Sequence, residues 1–229
     1  MLEDLKAAVL AANLALPAAG LVKLTWGNVS GRDPESGLVV IKASGVPYDR
    51  MTVADMVVVG PDGRVVEGER RPSTDTPTHL VLYSGIPGIG GVVHTHSTWA
   101  TAWAQAGRAL PVLGTTHADL CPGEVPLTAP LGPEEVREDY EEATGRAVLA
   151  ALAGHWPGEV PAVLVQGHGP FCWGASPAAA VETAVALEEV AKMAWLTTVL
   201  EPSAGPLAAH LVDRHFSRKH GAGAYYGQP

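Results

Sequence analysis

The chain has 229 residues, 47% of them hydrophobic and 17% charged, which is enough for one large domain with a sizeable core. Its 15 Lys and Arg stand against 24 Asp and Glu, a formal charge of −9 that repels nucleic acid and anionic membrane surfaces at long range. An anionic ligand must therefore find a local positive pocket.

The opening MLEDLKAAVL carries acids where a secretory signal carries Lys or Arg, and no apolar run approaches the length of a membrane span. Both features predict a soluble, cytoplasmic protein. Residues 2–16 place Leu2, Leu5, Val9 and Leu10 at helical spacing, and Pro17 with Gly20 closes that helix. LVKLTWGNVS and GLVVIK read as strands separated by the loop GRDPESG. MVVVGPDGRVV has a DG turn between β-branched runs and predicts a hairpin. STDTPTHLVLYSG opens with Ser and Asp at capping positions and Pro77 near a first turn, which predicts a helix start. GGVVHTHS reads as a strand leading into the helix TWATAWAQAG, and AVLVQGHG as a later strand before a helix from about Pro177 to Leu200. No repeat, low-complexity tract or long linker interrupts this series, so one domain over residues 1–229 is expected. Early strands with helices at both ends predict an α/β sandwich with mixed or antiparallel pairing. Cys121 and Cys172 lie far apart without CxxC spacing and are expected as packing residues.

His94 and His96 alternate along a strand, so their Cβ atoms share a face about 6–7 Å apart and both imidazoles could reach one metal ion. A chance HxH occurs in roughly a third of chains with this histidine content. Alone, the pair reads equally as two polar residues satisfied by neighbours. His168 sits between glycines at the end of an apolar strand, either as a turn residue or as a side chain aimed into a cleft. Asp75, at a predicted helix start, reads by default as an N-terminal cap, yet the same place can deliver a carboxylate to a site. Three imidazoles and a carboxylate form a ligand set for Zn²⁺, Mn²⁺ or Co²⁺. A second cluster suits a phosphate monoester. Gly27, Asn28, Lys42, Ser44 and Gly45 fall at the ends of two strands, and Ser73 and Thr74 at the helix start holding Asp75. Each of these taken singly reads as a turn residue.

Taken together, LTWGNVSG, VIKASGV, PSTDTPTHLVLY, VVHTHSTWATAWAQAG, GTTHAD, HGPFCWG, LEEVA and the tail RKHGAGAYYGQ resemble the class II aldolase/epimerase superfamily, in its pentulose-phosphate 4-epimerase branch. The resemblance covers essentially the whole chain. It implies an α-β-α sandwich with a mainly antiparallel central sheet. It also implies a metal held by Asp75, His94, His96 and His168, most simply zinc, with substrate contacts from Gly27, Asn28, Lys42, Ser44, Gly45, Ser73 and Thr74. The implied reaction is C4 epimerisation of L-ribulose 5-phosphate to D-xylulose 5-phosphate, by retro-aldol cleavage and re-addition through an enediolate stabilised by the metal. Asp119 and Tyr226 carry the implied acid/base roles, although unaided reading makes Asp119 a turn residue and the Tyr225/Tyr226 pair a frayed tail. His215 and Arg218 match positions near that active site. The tail from about 205–229 is expected to reach a neighbouring subunit in a homotetramer. A sugar-phosphate aldolase of the fuculose or rhamnulose type and a non-catalytic adducin-head-like module are the alternatives. The aspartate at position 75, where those aldolases resemble this site with a glutamate base, and the epimerase-like tail favour the first reading, and the metal histidines disfavour the module.

Overall fold

The computed structural model describes residues 1–155 and 159–227. Its centre is a seven-stranded antiparallel sheet in the order β4-β3-β2-β1-β5-β7-β6. The strands are β1 (Asn28–Arg32), β2 (Val39–Lys42), β3 (Met56–Val59), β4 (Val65–Glu67), β5 (Gly91–His94), β6 (Ala162–Val165) and β7 (Gly169–Gly174). Every residue of β2, β3, β5 and β6 is buried, as continuous Val, Ile and Leu runs require when both faces of a sheet are covered. Among the described residues eight α-helices supply the cover: α1 (Glu3–Ala18), α2 (Thr76–Gly85), α3 (Thr98–Gln105), α4 (Thr115–Leu120), α5 (Pro133–Glu138), α6 (Tyr140–Ala151), α7 (Pro177–Leu200) and α8 (Ala209–His220).

Alternation along β1 fixes which helix lies on which face. A Cβ added to Gly31 would meet Pro177 of α7 and both Leu5 and Val9 of α1 within 2.9 Å, so these two helices press on that face. Ser30 points the other way. Its hydroxyl meets Nδ1 of His79 at 2.7 Å and the Tyr83 hydroxyl at 2.9 Å, which fastens α2 to the opposite face. Behind α2 stands α6, joined to it where the Thr78 hydroxyl donates to the Glu141 carbonyl at 2.6 Å. The result is the α-β-α sandwich that the sequence implied.

Several expected elements form as read. The DG turn joins β3 to β4 with Gly63 at φ 79°, and the long C-terminal helix runs from Pro177 to Leu200. Both cysteines are free and buried, and burial pushes the Cys121 thiol up to about 12. Other expectations need correction. Residues 21–27 are not strand: Leu24 and Gly27 adopt φ 53° and 77°, and the backbone turns out of the sheet before β1 begins at Asn28. The first helix passes through Pro17 to Ala18: the proline forgoes one bond near the helix end, and the Ala19 amide still donates to the Ala15 carbonyl at 2.9 Å. Strand β7 was missed, since Gly169 and Pro170 at its start argue against a strand interior. Asp119 is not in a turn but in α4. Among the described residues no helix is long and apolar enough to cross a membrane.

Candidate active site

Pairing register brings the first side chains together. Asn28 of β1 lies opposite His94 of β5, and His94 lies opposite Phe171 of β7, a row across three adjacent strands. The His94 and Phe171 rings stack at 4.2 Å and 15°, so the imidazole is held flat at the strand end. His96 falls beyond the last residue of β5, and His168 in the turn joining β6 to β7, where Gly167 at φ 72° reverses the chain. The three ring centroids form a triangle with sides of 4.9, 4.7 and 4.9 Å. One nitrogen from each ring lies within 4.8 Å of the others, a group able to hold a metal ion.

The donor chemistry fits a divalent cation. His94 donates its Nδ1 proton to the Pro170 carbonyl at 3.0 Å, which leaves Nε2 as a lone pair facing the cleft. Nε2 of His96 stands 3.1 Å from it. A tetrahedral ion with bonds of about 2.0–2.1 Å separates its ligand nitrogens by roughly 3.3 Å, so little rearrangement is required. Burial lowers the pKa of His94 to about 3 and depresses those of His96 and His168, keeping all three neutral, as ligation requires. Tyr140, the first residue of α6, meets Nδ1 of His168 at 3.0 Å through its hydroxyl and orients that ring from behind.

Asp75 stands at the N-cap position of α2 but makes no capping bond. Its Oδ2 instead accepts from Asn28 Nδ2 at 2.6 Å, and the same amide donates to Ser73 Oγ at 3.2 Å. Burial pushes its carboxyl up, and the facing His94, His79 and His168 with the Asn28 bond outweigh that and hold it below the usual carboxylate range. Asp75 is ionised and lines the histidine cleft without joining the tight three-imidazole group. Among the described residues Asn28 Oδ1 is buried with no hydrogen-bonding partner, as is His79 Nε2 behind the site.

All the residues expected to bind metal or substrate line one cleft of about 310 Å³: Gly27, Asn28, Lys42, Ser44, Gly45, Ser73, Thr74 and Asp75 with the three histidines. Lys42 is 2% exposed. Its ammonium donates to the Thr25 carbonyl at 3.1 Å and lies 4.5 Å from the centre of the Tyr48 ring. Burial lowers its pKa to about 8, against the opposing pull of Asp75. Thr25 and Trp26 also line the cleft. Sequence reasoning missed their part because it read them as mid-strand. Tyr140 and Pro170 were missed as well, and no local pattern marks either. A larger hollow of about 740 Å³ lies outside the α2 start, between Pro61 and Leu149; neither histidine nor lysine lines it.

Asp119 and Tyr226 do not line the cleft of their own chain. They lie instead on either side of Arg218, on α4 and in the segment after α8. Arg218 grips Asp119 with two bonds, Nε to Oδ1 at 3.0 Å and Nη2 to Oδ2 at 2.5 Å, and His215 Nδ1 adds a contact at 3.1 Å. Burial raises the Asp119 carboxyl, but Arg218, His215 and Lys219 together hold it below its ordinary range. The Tyr226 ring lies 4.9 Å from the Arg218 guanidinium and 4.6 Å from the Lys219 ammonium. Tyr225 and Tyr226 are not frayed: both backbone amides donate to the Arg218 carbonyl, at 3.0 and 3.1 Å.

An antiparallel α-β-α sandwich with three imidazoles at the end of its central strands matches, over residues 7–195, the model of the class II aldolase and adducin N-terminal domain, and the chain belongs to that family. Within it, the chain is 55% identical over 227 residues, 99% of its own length and 100% of the relative's, to L-ribulose-5-phosphate 4-epimerase UlaF of Salmonella paratyphi C (strain RKS4594). The same identity and coverage hold for L-ribulose-5-phosphate 4-epimerase UlaF of Salmonella typhi. Among solved structures, an L-fuculose 1-phosphate aldolase superposes with a TM-score of 0.80 at 24% identity, covering 94% of this chain and 95% of that one. L-fuculose-1-phosphate aldolase from Thermus thermophilus gives 0.68 at 29% identity, covering 90% and 100%.

Proposed function

We propose that the chain is an isomerase that interconverts L-ribulose 5-phosphate and D-xylulose 5-phosphate by inverting C4. The observation carrying this reading is one small cleft that presents three neutral imidazoles beside a buried lysine and a Ser/Thr cradle. The 55% identity to curated 4-epimerases supplies the stereochemical assignment. The C4 hydrogen is not acidic, because the C2 ketone activates C3, so inversion requires breaking and remaking the C3–C4 bond.

In this reading His94, His96, His168 and Asp75 hold a divalent cation, zinc by preference, with Mn²⁺ or Co²⁺ as alternatives. When bound, the ion supplies Lewis-acid polarisation of the ketone and adjacent hydroxyl oxygens. The chain's own residues do the rest. Pro170 and Tyr140 fix the His94 and His168 rings. Lys42, Ser44, Ser73 and Thr74 grip the phosphate, with Gly27, Asn28 and Gly45 shaping the wall. That grip keeps glycolaldehyde phosphate in the cleft after cleavage, so that it rotates and re-adds instead of leaving. Asp119 and Tyr226 move the C4 hydroxyl proton, one from each face of the aldehyde. Because they lie outside their own cleft, a second copy delivers them, Asp119 from α4 and Tyr226 from the tail of about 205–229, in a homotetramer whose sites sit at subunit interfaces. Half-exposed Met193, Trp195 and Leu196, with Val199 and the largely bare Leu200, form an apolar stretch on α7 suited to such contact. A charged sugar phosphate does not cross membranes, so in this reading the enzyme works in the cytoplasm, and arabinose catabolism is the pathway proposed for it.

Product analysis tests this directly. L-Ribulose 5-phosphate incubated with metal-loaded protein yields D-xylulose 5-phosphate in this reading; glycolaldehyde phosphate as the main product would instead make the protein an aldolase. A pH profile adds a second check. Lys42 loses its proton above about pH 8, so kcat/KM falls as pH rises through that value. Lys42→Arg, which stays protonated there, removes that fall; an unchanged profile would count against a charged Lys42 at the phosphate.

A further inference from the structure

We propose that Glu188, midway along α7, is a positioning residue that fixes the His96 arm of the cleft. This rests on the metal reading above. Helix α3 begins at Thr98, two residues beyond His96, and the first N–H groups of any α-helix lack intrahelical partners. Ser97, in the cap position, makes no side-chain capping bond. Glu188 does that work from far along the chain: Trp99 N donates to Oε1 at 2.9 Å and Ala100 N to Oε2 at 3.0 Å. A carboxylate there also lies at the favourable end of the helix dipole.

The same face of α7 holds α3 twice more. Trp103 Nε1 donates to the Ala191 carbonyl at 3.0 Å, and the Trp195 ring lies 5.3 Å from that of Trp99. Residues 188, 191 and 195 follow helical spacing, so α7 is a spine against which the start of α3 is clamped. His94 is clamped on the other side, by strand pairing and the Pro170 carbonyl. Among the described residues His96 has no main-chain brace of that kind, and beyond the three imidazoles the ring of Trp26 stands 6.3 Å away. Among the described residues its hydrogen-bonding partner is His94 Nε2, at 3.1 Å. The direction of its ring is therefore set by the backbone of residues 95–98, and Glu188 fixes the far end of that span. The LEEVA segment thus acquires a role at the cleft without touching it.

Binding of Co²⁺ tests the proposal, with full-length wild type, Glu188→Ala and Glu188→Gln compared by calorimetry and visible absorption, well below the unfolding temperature of each. Loss of an outer contact of this kind weakens metal affinity by about 10- to 100-fold. Glu188→Ala is expected to show that loss and an altered Co²⁺ spectrum while its far-UV circular dichroism stays native. Glu188→Gln keeps one acceptor oxygen and should recover part of the affinity; if the alanine variant does not fold, the glutamine variant still shows a several-fold loss. Wild-type affinity and spectrum in the folded variants would overturn the proposal and leave the metal site standing. Failure of the wild type to bind any ion would overturn both together.

Discussion

Lys42→Met is expected to separate stability from activity. Lys42 is almost fully buried on β2, with one carbonyl partner for its ammonium, and burial has lowered its pKa to about 8. Keeping that charge folded at neutral pH is unfavourable, and a methionine of similar length removes the burden. The variant should unfold at the same denaturant concentration as wild type or higher, with a gain of up to about 1–3 kcal/mol near pH 7. The folded-state pKa lies below the ordinary lysine value of 10.5, so the burden is full below about pH 8 and fades as pH rises toward 10.5. The variant's advantage should shrink across that window. Activity should move the other way. A phosphate held throughout the reaction contributes to substrate and transition state alike, so its partner's loss appears mainly in KM, with kcat/KM down by about 100-fold or more. Parallel losses of stability and activity would show that Lys42 is structural.

Gly27→Ala should be the most damaging change that leaves every functional side chain in place. Gly27 has φ 77°, and an added Cβ would stand 2.8 Å from the His94 carbonyl and 2.8 Å from Val22 Cγ1. The backbone it strikes carries His94, the first imidazole of the cleft, so relief of the clash displaces the site itself. Strain plus overpacking predicts a loss of about 2–4 kcal/mol, read as a lower unfolding midpoint. Gly45 provides the control on the same cleft. It has nearly the same φ, 70°, but nothing lies within 4 Å of its added Cβ. Gly45→Ala should cost only about 1 kcal/mol, the conformational strain alone. Equal losses in the two variants would show that φ, and not the His94 contact, decides.

Local patterning made His94, the α2 start and Lys42 legible, because a buried strand end and a capping sequence depend on neighbours close in the chain. What placed them in one cleft was the order of the sheet. Strand β5 lies between β1 and β7, which come from opposite ends of the sequence, and no periodicity reports that adjacency. Residues 21–27 misled for a related reason. Their apolar residues suggested a strand, while Leu24 and Gly27 in left-handed conformation turn the backbone so that Thr25 and Trp26 reach the cleft. Tyr140 reaches His168 across 28 residues and Glu188 reaches the start of α3 at Trp99 across 89, and neither segment announces it. Asp119 and Tyr226 were reached only through family resemblance, since the Arg218 pairing that orders them closes 99 residues of chain.

In the proposed reaction the three imidazoles hold one divalent ion on which carbon–carbon bond cleavage depends. Its most direct test is metal stoichiometry measured alongside turnover of L-ribulose 5-phosphate, for wild type and His96→Asn at equal loading conditions. One ion per chain and conversion to D-xylulose 5-phosphate are expected of wild type, with metal affinity and turnover in the variant both reduced by at least about 10- to 100-fold. Equal turnover by His96→Asn would contradict it.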